Sequence, residues 1–322
     1  MPAAFVLGAG LGTRLRPLTF RVPKPLLPVA HRTLLDRTFG HLRADLGIDR
    51  FVVNTHHLPE RFRQTLPDGT WNGVPVALRH EPVLLDTGGG MANIRDLVPA
   101  DESLVVYNGD ILCDAPLRAA WQHHLAGGAE ATLVLRESGP LVNVACRAVP
   151  DDGPYPCGPV VDIRGLLGVA APLFQFTGIF FVSPGLLKAL PPAGSVFPII
   201  PFLVRRIESG ARLDGIMVDD GCWWDLGTPR SVFDAHDWLA THPFPRHAPE
   251  VVVRVHPEAG VAAGALDGQS WAGPGVRVPE SCSVRSSILL DGCMLAPGVV
   301  LDRCLVAPGC RVGASATDAV LA

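Results

Sequence analysis

Short apolar runs alternate with amphipathic stretches through the first two-thirds of the chain, as they do in βαβ units. Between the first two runs, apolar residues from Leu34 to Leu46 recur at helical spacing, and Gly47 is a natural stop. This pattern predicts an α/β fold with an open sheet. The runs predict strands at Phe5–Leu7, Phe51–Val53, Val74–Leu78, Leu104–Tyr107 and Thr132–Leu135.

The tail has a different pattern. From about residue 275 a four-residue phrase recurs every five or six residues, and its second and fourth members are always apolar. Alternation places those two members on one side of very short strands, which predicts a β-helix of hexapeptide type with Pro-Gly corners. The phrases begin at Gly275, Ser281, Ser287, Gly292, Gly298, Arg303 and Gly309.

Phrases three apart share one face of such a helix. If the second and fourth residues of a phrase point inward, the third points outward, which places Leu289 and Leu305 on the outside of one face. We therefore expect that face to pack on the rest of the chain or on a second subunit, which leaves a homo-oligomer through the β-helix open. Four cysteines fall on inward second positions, where core packing is favoured over metal binding. They are Cys282, Cys293, Cys304 and Cys310.

The Pro- and His-rich segment 241–251 reads as a linker. It divides the chain into an expected catalytic domain, residues 1–240, and the β-helix domain, residues 252–322. The opening apolar run is too short for a signal peptide, and no run approaches membrane-spanning length, so we expect a cytoplasmic protein without a membrane partner. The net charge of −4 gives no reason to expect nucleic-acid binding.

Positive charge is concentrated near the start of the chain, where no acidic residue precedes Asp36. A glycine loop, Gly8-Ala9-Gly10-Leu11-Gly12-Thr13, follows the first predicted strand and leads to Arg14 and Lys24. Glycines let backbone N–H groups approach a triphosphate. Lys24 is one of only two lysines in the chain, which indicates a site that needs a compact ammonium. The region fits a small polyanion.

Two aspartates offer hard oxygen ligands of the kind that hold Mg²⁺ in phosphate-transfer sites. Asp110 follows the predicted strand that ends at Tyr107, and Asp225 stands in Trp223-Trp224-Asp225-Leu226-Gly227-Thr228-Pro229. Either aspartate alone would more often be a turn or cap residue. Trp223 and Trp224 are more often core aromatics than base-stacking ones. Adjacent histidines, His56-His57 and His123-His124, point different ways and are expected to be solvated or capping.

Together these motifs resemble those of the sugar-1-phosphate nucleotidyltransferases. The resemblance implies a Rossmann-like mixed-sheet nucleotidyltransferase domain with a C-terminal left-handed β-helix, and it implies transfer of a nucleotide from a nucleoside triphosphate to a sugar 1-phosphate. It also implies that Arg14, Lys24 and Asp110 are catalytic, and that Asp110 and Asp225 bind Mg²⁺. The nucleotide-binding residues that it implies are Leu7, Gly8, Ala9, Gly10, Gly12, Thr13, Asp86, Gly88, Gly89 and Asn108.

On the sugar-phosphate side, Thr177-Gly178 resembles a loop of the family, and Arg164 stands in for a missing Glu-Lys-Pro triplet. The missing triplet and Asp86-Thr87-Gly88-Gly89-Gly90 resemble N-acetylmuramate-1-phosphate uridylyltransferases, whereas the tail resembles mannose-1-phosphate guanylyltransferases. Base and sugar therefore stay open between uridylyl and guanylyl transfer.

Other functions compete with this interpretation. A glycosyltransferase that uses nucleotide sugars usually shows a short Asp-x-Asp motif, whereas this chain has Asp110-Ile-Leu-Cys-Asp114. An acyltransferase built on the β-helix would need a histidine base, and no histidine follows His256. A regulatory subunit with a degenerate site is disfavoured because Arg14, Lys24, Asp110 and Asp225 are all present.

Overall fold

The computed structural model describes residues 2–147, 149, 153–245 and 248–322. Arg246 and His247 of the predicted linker lie outside the described residues. The chain forms two compact units, each built from several segments. We call Met1–Gly10, Thr38–Gly109 and Cys113–Trp223 the sheet unit, and Leu11–Arg37, Asp110–Leu112 and Trp224–Ala322 the coil unit. The chain thus passes between units inside the glycine loop and again at Asp110.

The helices and strands are numbered along the chain. The helices are α1 (Leu34–Leu46), α2 (Pro59–Thr65), α3 (Asp86–Asn93), α4 (Arg118–Gly127), α5 (Pro184–Ala189), α6 (Ile199–Glu208) and α7 (Pro229–Leu239). The strands before residue 250 are β1 (Ala3–Leu7), β2 (Pro28–Val29), β3 (Arg32–Thr33), β4 (Arg50–Thr55), β5 (Thr70–Trp71), β6 (Val74–His80), β7 (Leu104–Asn108), β8 (Ile111–Cys113), β9 (Ala131–Arg136), β10 (Val142–Cys146), β11 (Cys157–Ile163), β12 (Leu173–Val182), β13 (Leu213–Met217) and β14 (Trp223–Asp225). Those after it are β15 (Gly260–Val261), β16 (Trp271–Ala272), β17 (Arg277–Val278), β18 (Ser283–Arg285), β19 (Ile288–Leu289), β20 (Met294–Leu295), β21 (Val300–Asp302), β22 (Leu305–Val306), β23 (Arg311–Val312), β24 (Ala316–Thr317) and β25 (Val320–Leu321).

The sheet unit is organised around one mixed sheet with the order β10-β11-β13-β9-β12-β7-β1-β4-β6-β5. Strands β7, β1, β4 and β6 are parallel neighbours, whereas β12 runs antiparallel to β7. The predicted strands are confirmed as β1, β4, β6, β7 and β9, and the predicted helix is α1. All side chains of β1 from Ala3 to Val6 are fully buried. Because successive side chains point to opposite faces, both faces of this strand are covered, as central parallel strands require.

Short parallel strands dominate the end of the coil unit. Within its described residues, successive strands visit different sheets in turn, with the orders β15-β17-β20-β23, β16-β19-β22-β25 and β18-β21-β24. Each strand except the last of its sheet therefore pairs with a later strand, after the chain has passed through the other sheets. This arrangement is compatible with a β-helix. Glycines with positive φ, such as Gly275 and Gly309, stand at the predicted Pro-Gly corners.

The predicted inward and outward positions are wrong for the phrase that begins at Ser287. Ile288 pairs with Leu305, and Leu289 pairs with Val306. Because neighbouring strand residues face opposite sides, Leu289 and Leu305 cannot both face outward. The outward position of this sheet is held by Trp271, Ile288 and Leu305, and each is almost completely buried within the single chain.

The core packing predicted for four cysteines of the tail is confirmed, because Cys282, Cys293, Cys304 and Cys310 are buried thiols, and the other four cysteines are buried as well. Within the described residues no cluster of three metal-ligating side chains occurs. Among the same residues, no helix combines the length and apolar character needed to cross a lipid bilayer.

Candidate active site

Lys24 and Asp110 form an ion pair in the coil unit, with Lys24 Nζ 3.1 Å from Asp110 Oδ2. Lys24 begins a short 3-10 turn after Pro23, and only 9% of the residue is exposed. Its stem lies against Gly12, where a Cβ atom would be 3.1 Å from Lys24 Cγ and 2.7 Å from Thr19 Cγ2. Gly12 has a φ of 62°, and its carbonyl accepts a hydrogen bond from Thr19 Oγ1 at 3.0 Å. The glycine thus makes room for the lysine.

Arg14 and Asp225 form a second, looser pair in the same unit, with Arg14 Nη2 3.7 Å from Asp225 Oδ2. Gly227 is needed beside it, because a Cβ atom there would lie 2.4 Å from Arg14 Nη2. A backbone hydrogen bond from Leu226 N to Asp110 O, 3.0 Å long, connects the two pairs. The structure therefore brings together the four residues that the sequence singled out for phosphate chemistry.

The two aspartates fit a divalent cation. Asp225 Oδ1 is buried and has no hydrogen-bond partner among the described residues. A buried carboxylate oxygen without a donor is costly unless something electropositive faces it. The side chain of Asp110 is 30% exposed, which leaves it accessible to a ligand. Carboxylate oxygens of this kind are suitable ligands for Mg²⁺ in combination with phosphate oxygens.

In the sheet unit, two of the predicted nucleotide-binding residues, Leu7 and Asn108, lie at the carboxyl ends of neighbouring strands. Leu7 pairs with Asn108 at the ends of β1 and β7, and Gly109 N donates to Leu7 O at 3.1 Å. The Asn108 side chain lies directly against Gly178, where a Cβ atom would be 2.5 Å from Asn108 Nδ2. Open α/β sheets bind ligands at this edge.

Thr177 and Gly178 do not form a loop as the sequence predicted. Both lie inside the long strand β12, at a point where its register against β9 shifts between Phe176 and Phe180. Gly178 has a φ of 82°, a conformation that breaks regular pairing without ending the strand. Thr177 O accepts a hydrogen bond from Trp223 Nε1 at 2.8 Å, so Trp223 has a structural partner here.

The glycine segment after Asp86 is helical. Asp86 begins α3 with a φ of 62° and is exposed, whereas Gly88 and Gly89 are buried. A Cβ atom at Gly88 would be 2.3 Å from the Phe197 ring, and one at Gly89 would be 2.2 Å from Ser195 O. These two glycines are therefore required, at least in part, for close packing of residues 195–197 on the helix.

Sequence reasoning missed Asn54 and Glu81, which support the glycine loop. Gly8 N donates to Asn54 Oδ1 at 2.7 Å, and Asn54 Nδ2 donates to Glu81 Oε1 at 2.7 Å. Glu81 is fully buried and Asn54 is 2% exposed. Asn54 directly follows the predicted strand Phe51–Val53, so a polar residue at a strand end was the available signal.

Arg164 remains apart from the other predicted residues. It is exposed in the turn after β11, with a φ of 61°, and its backbone N donates to Asn143 O at 2.7 Å. None of the contacts seen among the described residues joins it to another predicted site residue.

Two of the four histidines predicted to be solvated or capping are held by side chains. His124 is 3% exposed and contacts Thr132 Oγ1, and His123 contacts Asp214. Burial lowers the pKa of His124 to about 4, so it is neutral near pH 7.

The thiols near the strand ends are also neutral. Burial raises the pKa of Cys113 to about 12 and raises that of Cys222 well above its usual value. Neither thiol is therefore a nucleophile of the kind that covalent catalysis uses. The cations and carboxylates of the coil unit suit direct transfer between phosphates.

A cavity of about 370 Å³ lies elsewhere in the coil unit, between α7 and the outward side of the sheet that contains β19. Its wall includes Phe233, Trp271 and Ile288. It contains none of the predicted site residues.

The fold and these strand-end residues define an α/β nucleotidyltransferase fold with a mixed sheet. Residues 3–140 match the family described as nucleotidyl transferase. The structure of UDP-glucose pyrophosphorylase from Acinetobacter baumanii superimposes with a TM-score of 0.61 at 16% identity, over 76% of this chain and 95% of that one.

Two curated relatives indicate which family of nucleotidyltransferases the chain resembles. N-acetylmuramate alpha-1-phosphate uridylyltransferase of Neisseria meningitidis serogroup B is 33% identical over 70% of this chain and 93% of its own length. Mannose-1-phosphate guanylyltransferase of Mycobacterium tuberculosis is 29% identical over 90% of this chain and 80% of its own length. The chain belongs to the sugar-1-phosphate nucleotidyltransferase family.

Proposed function

We propose that this protein transfers a nucleotidyl group from a nucleoside triphosphate to a sugar 1-phosphate, forming a nucleotide sugar and pyrophosphate. The observation that carries the proposal is the linked pair of contacts, Lys24 to Asp110 at 3.1 Å and Arg14 to Asp225 at 3.7 Å. Membership of the family supports it, and neither curated relative described above is a glycosyltransferase, an acyltransferase or a regulatory subunit by name.

The reaction is a displacement at phosphorus. An oxygen of the sugar phosphate attacks the α-phosphorus, the bond from that phosphorus to the bridging oxygen breaks, and pyrophosphate leaves with the electron pair. The attacking oxygen is already anionic near neutral pH, so no general base is needed. Catalysis then depends on positioning and on neutralisation of charge.

Each cation has a distinct proposed role. Lys24 places a compact, largely buried ammonium against the reacting phosphates, and Asp110 holds that ammonium in position. Arg14, whose side chain is 58% exposed, neutralises charge on the departing pyrophosphate. Burial strengthens the contact of Lys24 with the phosphates, whereas exposure lets Arg14 follow the leaving pyrophosphate into solvent.

The remaining predicted residues would bind the substrates. The Gly8 N–H already donates to Asn54, so Gly8 would contribute close backbone approach and not a free donor. Thr177, Gly178 and Arg164 are proposed for the sugar-phosphate side. The proposed nucleotide-binding residues are Leu7, Gly8, Ala9, Gly10, Gly12, Thr13, Asp86, Gly88, Gly89 and Asn108.

Members of this family generally use a divalent metal, and we propose that Asp110 and Asp225 hold Mg²⁺. When bound, the ion would neutralise phosphate charge that the two cations leave uncompensated. Asp225 Oδ1, which is buried and has no hydrogen-bond partner among the described residues, supports this assignment.

We propose UTP or GTP as the nucleotide donor, because relatives of similar identity are named for uridylyl and guanylyl transfer. By the same names, N-acetylmuramate 1-phosphate and mannose 1-phosphate are the first sugar phosphates to test.

We also propose a division into a catalytic domain (1–240), a linker (241–251) and a left-handed β-helix (252–322). The strand order of the described coils supports the β-helix. A homo-oligomer through this domain stays a prediction. The two leucines that motivated it, Leu289 and Leu305, are buried within one chain, so they add no support.

The test is pyrophosphate release in the presence of Mg²⁺. The nucleotides UTP, GTP, dTTP, CTP and ATP are each combined with the 1-phosphates of N-acetylmuramate, mannose, glucose, N-acetylglucosamine and heptose. Release that requires both substrates, with UTP or GTP preferred, would support the proposal. Release without a sugar phosphate would indicate simple hydrolysis, and a folded protein that is silent across the matrix would refute the proposed function.

A further inference from the structure

A continuous chain of hydrogen bonds connects the glycine loop to helix α3 inside the sheet unit. It runs from Gly8 N to Asn54 Oδ1, from Asn54 Nδ2 to Glu81 Oε1, and from Leu85 N to Glu81 Oε2 at 3.1 Å. Leu85 immediately precedes Asp86, the first residue of α3. Two side chains thus join the start of the loop to the start of the helix.

Space around this chain is filled. A Cβ atom at Gly8 would lie 2.6 Å from Asn54 O, and one at Gly90 would lie 2.9 Å from Asn54 Nδ2 and 3.0 Å from Glu81 Oε1. Loop, pair and helix are therefore in contact without room for adjustment. Closely packed interiors transmit a displacement of one group to its neighbours.

The donor pattern allows only one arrangement of the pair. Gly8 N–H and Leu85 N–H are both donors, so each must meet an acceptor. Asn54 uses its oxygen for Gly8, which leaves its amide hydrogens for Glu81. Glu81 then accepts with both oxygens. A buried carboxylate with one donor on each oxygen is held in a single position.

We infer that Asn54 and Glu81 act as a positioning pair, holding the glycine loop and the first turn of α3 in the geometry that binds the nucleoside triphosphate. This inference rests on the proposed function, and neither side chain is assigned contact with substrate. Because both supported segments are proposed to bind the nucleotide, loss of the pair should weaken nucleotide binding and leave sugar-phosphate binding intact.

Single substitutions test the pair. In Asn54→Asp two carboxylates face each other, and in Glu81→Gln an amide NH₂ faces a donor. Each leaves a buried group unsatisfied, so the loop and the helix depart from the binding geometry, and restoring that geometry on binding lowers the affinity about tenfold. We expect the KM and the dissociation constant for the nucleotide to rise about tenfold, with the KM for sugar phosphate changed less than about twofold. The Gly8 amide should exchange its hydrogen faster than in the wild type.

The exchanged double variant, Asn54→Asp with Glu81→Gln, is the decisive one. Its new aspartate accepts from Gly8 N–H and from the new glutamine amide, and the glutamine oxygen accepts from Leu85 N–H. Shape, net charge and every hydrogen bond are thereby kept. We expect it to fold, to protect the Gly8 amide and to restore nucleotide KM to within about threefold of the wild type.

Glu130→Gln is the matched control, because Glu130 is a partly buried carboxylate of the same unit that accepts from Arg206 Nε at 2.8 Å. It should lower thermal stability without changing nucleotide KM. Folded single variants with unchanged nucleotide KM would overturn the inference, as would a double variant that is unfolded or no better than the single ones. If the single variants do not fold, the double variant decides alone. A wild type without turnover would refute the proposed function, whereas active enzyme with unaffected variants would refute only the positioning role.

Discussion

Lys24 Nζ lies 3.1 Å from Asp110 Oδ2, although 86 residues separate them in the chain. The ammonium is largely buried, and its stem passes over Gly12 with little space to spare. A cation held in this way has one position and one shape that fit. The pair therefore allows sharp tests of the proposed site.

Replacing Lys24 by Arg keeps the charge but exchanges a compact ammonium for a planar, larger guanidinium. We expect kcat to fall about 100-fold, in the range seen when one preorganised charge contact is lost. Steady-state pyrophosphate release measures the change. Lys188→Arg is the control, since the other lysine of the chain is exposed near the end of α5. Equal activity of the Lys24 and Lys188 variants would show that the compact shape is unimportant.

Asp225→Asn should weaken metal-dependent turnover, because an amide is a poorer ligand for a hard cation than a carboxylate. We expect the Mg²⁺ concentration for half-maximal rate to rise at least about tenfold. A titration with Mg²⁺ measures it, and Asp110→Asn should behave in the same direction. Asp234→Asn serves as control, because Asp234 contacts Arg230 on α7. An unchanged Mg²⁺ dependence in both site variants would disprove the metal assignment.

The glycines of the loop have different functions. Gly8→Ala should lower the free energy of unfolding by about 1–3 kcal/mol, because the new methyl group would overlap Asn54 O and Val53 Cγ1. In the described part of the chain, no atom lies within 4 Å of a Cβ atom added at Gly10, and Gly10 does not have a positive φ. Gly10→Ala should therefore retain full stability and lose nucleotide affinity if its backbone approaches the triphosphate. Urea unfolding measures the stability of each variant, and nucleotide titration measures its affinity. Similar stabilities of Gly8→Ala and Gly10→Ala would contradict the proposed difference.

Stability should fall in mild acid because of His236. Burial lowers the pKa of this histidine to about 4, with a smaller lowering contribution from charge on His31, Arg37 and Arg254. Above pH 6.5 the ring is neutral in both folded and unfolded chains. As pH falls from 6.5 to about 4, the unfolded chain takes up a proton and the folded chain does not, so folding loses up to about 3 kcal/mol.

The structure gives a reason for this behaviour. His236 Nε2 accepts from Ala30 N at 3.2 Å, and Nδ1 contacts Val232 O at 2.8 Å. A proton on Nε2 would break the first of these contacts. Thermal unfolding of wild type and His236→Gln between pH 7 and 4 is the measurement. The stability of His236→Gln should depend less on pH than that of the wild type. A variant of an exposed histidine, His80→Gln, should keep the wild-type pH dependence. Parallel pH profiles for all three proteins would refute the assignment.

Local pattern was enough to predict several elements. The apolar runs located β1, β4, β6, β7 and β9, and helical spacing located α1 from Leu34 to Leu46. These succeed because side-chain periodicity and turn chemistry act between residues close in the chain. The same reasoning located the inward cysteines of the coils, but it misplaced Leu289, because a two-residue strand leaves the register ambiguous by one position.

The sequence alone determined the chemical groups of the candidate site: a glycine loop, one rare lysine, an arginine and two aspartates at strand ends. Tertiary structure decided which of them pair, that Thr177 and Gly178 lie within a strand, and that Asn54 and Glu81 support the loop. Asn54 and Glu81 are 27 residues apart, and no local pattern couples a polar residue to a partner at that distance. Their selection depends on burial, where a donor without an acceptor is too costly to keep.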